Sequence, residues 1–161
     1  MEPHLHTDTE MQKSHYRKFA WMIVLSFMSM YALMYAMVDQ FANIIPNVNQ
    51  IYMAALMTAP MILIEILLMG NMYKNKKLNY GILAIGVLLL IVSFLLIRNQ
   101  TAVGDKQFLK SMIPHHAGAV LMVKKADLTD PEVKKLAADI ITSQQKEIAF
   151  MKAKIKELEN K

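Results

Sequence analysis

The sequence predicts an all-α protein: three transmembrane helices followed by an extracytoplasmic antiparallel two-helix hairpin. Three observations carry that prediction. Hydrophobic residues make up 55% of the 161-residue chain and charged residues 19%, whereas an ordinary soluble domain has about 45–50% apolar and about 25% charged residues. Three apolar runs of bilayer-spanning length follow one another between residues 19 and 98. In the last third, apolar residues return at alternating steps of three and four, the period of a packed helix. The chain has no cysteine, which removes disulfides, thiolate zinc sites and cysteine nucleophiles.

Residues 1–18 form a polar tail whose basic and acidic groups cancel. Such a short polar tail is expected to be disordered. Its His4, His6 and His15 form a weak candidate for metal capture on the cytoplasmic side. The transmembrane region is residues 19–98. Its apolar runs are Phe19–Val38, Ile51–Met69 and Tyr80–Ile97, each about 27–30 Å long as a helix. The first run is too long for a secretory signal and lacks a small-x-small cleavage site. Lys13, Arg17 and Lys18 precede the first span, Lys74, Lys76 and Lys77 fill the turn between the second and third, and residues 39–50 contain no basic residue. The positive-inside rule therefore expects a multi-pass membrane protein with its amino terminus in the cytoplasm and residues 99–161 on the other side, which for a bacterial inner membrane is the periplasm or the cell exterior.

The hairpin domain is expected over residues 105–158. Its first helix runs from about Asp105 to Ala126, with a seam of Leu109, Met112, His116, Ala119, Val123 and Ala126. Phe108, His115 and Met122 form a flanking row, and Pro114 should kink the helix or restart it. The second helix starts at an Asp130 N-cap followed by Pro131 and runs to about Leu158. Its seam is Ala137, Ile141, Gln144, Ile148, Met151, Ile155 and Leu158. Two helices alone bury little surface, so a homo-oligomer making four helices, or packing on the membrane part, is expected.

Folding the hairpin so that Ala126 meets Val133 sets His116 level with Gln144 and Met112 near Ile148. Met112, His115, His116, Glu147 and Met151 are then the candidate metal ligands, with Gln144 and Pro114 in support, and Met122 joins the candidate set through the resemblance described below. Thioether sulfur is soft and imidazole borderline, a set that suits Cu(I), or Ag(I) as its mimic, better than Mg²⁺ or Ca²⁺. The plainer reading is that these methionines fill gaps in a core and that a neighbour such as Gln144 satisfies the histidine.

The blocks Met112-Ile-Pro-His-His116 and Gln144-Gln-Lys-Glu147, with Met151 and the earlier Asp130-Pro131, make the sequence resemble domain-of-unknown-function family 305. The resemblance covers about residues 105–158. It implies a ferritin-like helical hairpin, mostly extracytoplasmic, with copper binding or tolerance in some members. It also implies that Met112, His115, His116, Met122, Gln144, Glu147 and Met151 stand at motif positions. A di-iron centre is not expected. Such centres need a glutamate from each of two helices plus two Glu-x-x-His pairs, and residues 105–126 contain no glutamate.

Within the spans, Met30, Met34 and Met37 form one stripe and Met53, Met57 and Met61 another. Packing between helices accounts for both, although a thioether ladder for Cu(I) would have the same spacing. Glu65 is a lone intramembrane acid, by default a functional position unless Ser26, Ser29 or a tyrosine of a neighbouring span satisfies it. Basic residues are dispersed and aromatics scarce in residues 99–161, so no nucleic-acid partner is expected. No nucleophile–base pair or open zinc site is readable, so no enzyme is expected either. The expected partners are the lipid bilayer and a metal ion. A non-metal interaction or oligomerisation module is the alternative function.

Overall fold

The computed structural model describes residues 3–160 of the backbone and the side chains from Glu10 onward. His4 and His6, named above for metal capture, have side chains outside the described residues. Five α-helices follow in order: α1 (Pro3–Leu33), α2 (Val48–Met69), α3 (Lys76–Arg98), α4 (Asp105–Lys125) and α5 (Pro131–Glu159). Among the described residues there is no strand. Between α1 and α2 the chain makes two short 3-10 turns, Met34–Met37 and Phe41–Asn43. The stretches Glu10–Met37, Val48–Met69 and Lys76–Arg98 are long and apolar enough to cross a membrane.

The tail expected to be disordered is instead the first part of α1. No glycine or proline interrupts residues 4–33, and Pro3 stands in the first turn, where its missing N–H costs nothing. The apolar segment that follows supplies a long helix, so extending it backwards needs no new nucleus.

The chain divides into two compact units. One comprises α1 as far as Ala32 and residues 51–99. Its core is Phe19, Ile62, Ile66 and Tyr73, flanked by Tyr16, Met22 and Leu83. Gly86 lets α3 approach α2 closely, since a Cβ there would lie 2.7 Å from Leu63 Cδ2 and 3.3 Å from Ile62 Cγ2. Small residues at helix contacts are how spans associate when lipid gives no hydrophobic drive. Outward, Leu67, Leu68 and Leu88 are exposed, as lipid-facing residues are. Tyr16 Oη donates to Asn79 Oδ1 at 2.8 Å, and Asn79 Nδ2 donates to the Tyr73 carbonyl at 2.8 Å. The Asn75 side chain caps α3 by accepting from Leu78 N.

The other unit contains α4, α5 and the connection over residues 33–50. α4 and α5 run in opposite directions: Lys106, at the start of α4, pairs with Glu159 at the end of α5 (2.8 Å), and His116 meets Glu147 midway. The core is Leu109, Ile113, Ala117 and Val120 from α4 with Ile148, Met151 and Ile155 from α5. Val38 and Ile45 of the connection pack against it. This third layer accounts for a departure from the expected seam. Ile113, Ala117 and Val120 are completely buried although none belongs to the predicted stripe. A helix covered on two sides shows a wider apolar face than one seam.

The connection is held by specific bonds. Asp39, with a side chain 5% exposed, accepts from Asn43 Nδ2 at 2.6 Å and faces Lys124 Nζ at 3.9 Å. Tyr35 Oη donates to the Ile45 carbonyl, and Val48 N donates to Gln107 Oε1. Asn47 caps α2 by accepting from Gln50 N while its own amide donates to Gln50 Oε1. Gly118 leaves room for this strap, because a Cβ there would meet the Met37 carbonyl at 3.6 Å. That is ordinary contact, so alanine fits and a longer side chain does not. Gly118→Ala is expected to leave thermal stability unchanged or to raise it by up to about 1 kcal/mol through helix propensity. Gly118→Leu is expected to lower the melting temperature and to make residues 33–50 cleavable in limited proteolysis.

Candidate metal centre

α4 runs unbroken through Pro114, which is buried. Two residues later, His116 is 8% exposed. Its Nδ1–H donates to the carbonyl oxygen of Met112, one turn back, at 2.8 Å. Its Nε2 lies 2.7 Å from Glu147 Oε2 on α5. The Ser143 hydroxyl donates to the other Glu147 oxygen at 2.6 Å. The Ser143 hydroxyl and the His116 ring hold the Glu147 carboxyl below the usual carboxylate range. At the far end of the pair, Lys106 and, less strongly, Lys110 hold the Glu159 carboxyl down likewise.

Both partners of His116 are acceptors, so a ring that satisfies both carries two N–H groups. In a ring with one proton, that proton stays on Nδ1 against the Met112 carbonyl only when the Glu147 carboxylate leaves Nε2, because a nitrogen lone pair and a carboxylate oxygen do not face each other at 2.7 Å. A backbone carbonyl on one nitrogen is the usual support for a histidine that ligates through the other.

The proposed ligands fall into two groups. Met112, His116, Glu147 and Met151 gather across the α4–α5 seam, where Met151 is buried and Met112 packs on the same core. His115 and Met122 do not join them. His115 is exposed, its ring centroid 6.2 Å from that of His116. Met122 is 53% exposed and lines a shallow apolar cleft of about 200 Å³ with Leu136 and Ile140 near the α4–α5 turn. Successive residues on a helix point about 100° apart, so adjacent histidines cannot both face α5. Gln144, half-buried, is not the partner of His116; Glu147, one turn along, takes that place. The expected register brought Ala126 to Val133, but Ala126 and Asp130 are extended, and the longer crossing moves the facing residues by about one turn. Glu65 belongs to the other unit, where its Oε1 accepts from Tyr73 Oη at 3.0 Å. The tyrosine partner therefore comes from the turn after α2 and not from a neighbouring span. Ser143 was not singled out from the sequence, although its place four residues before Glu147 is a helix-neighbour spacing.

Among the described residues, no three His, Asp or Glu side chains cluster as a metal site. One imidazole and one carboxylate meet across the seam, and the nearby core holds the methionines Met112 and Met151. That donor set fits a soft monovalent ion and falls short of what a hard divalent ion requires.

An all-helical chain with three span-length apolar helices and a helix pair bridged by His116 and Glu147 defines the class. The chain belongs to the family described as "Domain of unknown function (DUF305)", whose model matches residues 96–155. An uncharacterized protein of Acanthamoeba polyphaga mimivirus is 36% identical to it over 145 residues, covering 87% of this chain and 93% of that protein. That relative is viral, so family membership does not by itself carry the bacterial source expected above. No solved structure matches the chain.

The lowered Glu147 carboxyl carries a pH dependence. Its folded value lies below its unfolded one, so the stabilisation is fully present above the unfolded carboxylate value and is lost as pH falls through the folded one. Acid unfolding of the wild type below about pH 4 is expected to be steeper than that of Glu147→Gln, as read by circular dichroism against pH.

Proposed function

We propose that this protein is a membrane-anchored Cu(I)-binding protein, with Ag(I) as a mimic, serving metal tolerance or delivery. In this reading the α4–α5 pair is a ferritin-like hairpin on the non-cytoplasmic side of the membrane. The observation that carries it is His116, its Nδ1–H committed to the Met112 carbonyl and its Nε2 directed at α5 beside the seam methionines. The ligands would be His116 Nε2 with the thioethers of Met112 and Met151. Glu147, whose side chain is 48% exposed, would swing aside and supply negative charge. His115, exposed on α4, and Met122, in the cleft near the α4–α5 turn, would be accessory donors away from this cluster. The basic residues in the polar first part of α1 and around the α2–α3 turn support an amino terminus on the cytoplasmic side. Three crossings then carry residues 33–50 and 100–161 to the same opposite side.

His116→Ala, Met112→Ala and Met151→Ala are each expected to weaken Cu(I) binding at least tenfold in a competition titration, whereas Lys135→Ala, on the exposed side of α5, should not. Binding should weaken in acid, because the metal displaces a proton from Nε2. A native-state ligand must raise the unfolding temperature, so a wild-type melting point unmoved by excess Cu(I) would end this reading. A periplasmic-only reporter fused after Lys161 should be active, and the same reporter placed beside Lys74 silent.

A second reading is favoured by a specific observation: His116 already has a partner on each nitrogen, while Leu136 and Phe150 stand exposed on α5. The helix pair would then be an interaction or oligomerisation module. It predicts a metal-free oligomer that Phe150→Asp or Leu136→Asp dissociates in analytical ultracentrifugation, with no response to Cu(I).

A further inference from the structure

In the unit built from α1, α2 and α3, a cavity of about 220 Å³ opens beside the turn that joins α2 to α3. It is lined by both signs of charge. Lys18 and Glu65 both line it, and no ion pair between them is found among the described residues. The apolar wall is Phe19, Met22 and Met72. His15 also lines the cavity, and its Nδ1 is buried with no hydrogen-bond partner. Tyr73 donates its hydroxyl to Glu65 Oε1 and so orients the carboxylate, which retains lone pairs for further donors.

Three features narrow the occupant. A simple anion would meet Glu65, and a simple cation would meet Lys18. A ligand carrying both charges on a short tether satisfies both. The buried, unpartnered imidazole nitrogen is itself costly unless a polar group meets it. The position fits a headgroup: Arg17 and Lys18 stand where the polar start of α1 gives way to its apolar run. Glu65 lies one turn before the end of α2, and Lys74 follows in the turn. This is the level at which a phospholipid carries its charges, with apolar wall below for the start of its chains.

We infer that this cavity is a binding site for a zwitterionic aminoalkyl phosphate, supplied by the bilayer as a phosphatidylethanolamine-type lipid. Its primary ammonium donates to Glu65, and its phosphate accepts from Lys18 and His15. The inference is independent of the copper reading, since it uses neither α4 nor α5. It also gives Glu65 a role that needs no transport. A primary ammonium has N–H donors to give; a trimethylated one has none. The site should therefore separate ethanolamine from choline headgroups by about the worth of one charge-assisted hydrogen bond, on the order of tenfold in affinity.

The test uses the full-length protein in detergent, delipidated and then titrated with phosphatidylethanolamine, its N-monomethyl form or phosphatidylcholine of the same chains. Native mass spectrometry counts bound lipid and thermal unfolding reports stabilisation. The expected order is ethanolamine above monomethyl above choline, about tenfold from end to end. Glu65→Gln should abolish that order, and Lys18→Ala should weaken all three lipids alike. Equal binding of ethanolamine and choline lipids by the wild type would overturn the proposal whether or not the variants fold. Stabilisation by free phosphoethanolamine as large as by the lipid would overturn the membrane as its source. Retention of the ethanolamine preference by Glu65→Gln would overturn the assignment of the carboxylate.

Discussion

The α4–α5 unit depends on the seating of Val38 and Ile45 against the row Leu109, Ile113, Ala117 and Val120. Two helices in water leave most of each apolar face open, and the net stability of any small domain is a narrow difference between burial and chain entropy. Here the third layer is not another helix but an irregular connection from between the first two spans. An irregular segment brings unpaired backbone groups with it, and these must find partners. Tyr35 Oη on the Ile45 carbonyl, Gln107 on Val48 N and the Asn47–Gln50 cap supply them. The complete burial of Ile113 and Val120 rests on this cover.

Within that framework His116 sits between two demands. Paired with Glu147, it ties α4 to α5 through a charge-assisted hydrogen bond that Ser143 strengthens by orienting the carboxylate. In the proposed Cu(I)-bound state it would ligate through Nε2 and give that bond up. The two states share one fixed element, the Nδ1–H bond to the Met112 carbonyl. The methionines are well suited to such an exchange. An unbranched thioether fills core space in one rotamer and presents sulfur in another. Packing and the proposed metal binding would therefore be competing uses of the same side chains.

Much of the helical content was legible in the sequence, because long uniform signals are hard to mimic. Apolar runs of bilayer length, the Asp130-Pro131 start of α5 and its Ala137 to Ile155 seam each have one physical cause. What was not legible was non-local. No periodicity announces that residues 33–50 will cover α4, so Ile113, Ala117 and Val120 lay off the predicted stripe. The register slipped because the extent of an extended crossing between helices is not written in either helix. That slip exchanged Gln144 for Glu147 as the partner of His116. His115 and His116 are neighbours in sequence but not in facing direction, because a helix turns by about 100° between them. The polar start of α1 read as a tail because composition suggests disorder where a neighbouring helix can simply be prolonged.

The connection over residues 33–50 also dictates an order of assembly. Its partners in α4 are made only after the second and third spans, and at about 5–20 residues per second the strap waits several seconds for them. During that interval Val38 and Ile45 have no core to enter, and Asp39 has no Lys124 to face. The unit is discontinuous in the chain, so no nascent fragment ending before α4 contains it. Its folding is therefore a late event that reports on whether α4 and α5 have been made. A chain cut short after α3 would display an apolar strap with nothing to cover it, the kind of surface by which quality control distinguishes unfinished proteins from complete ones.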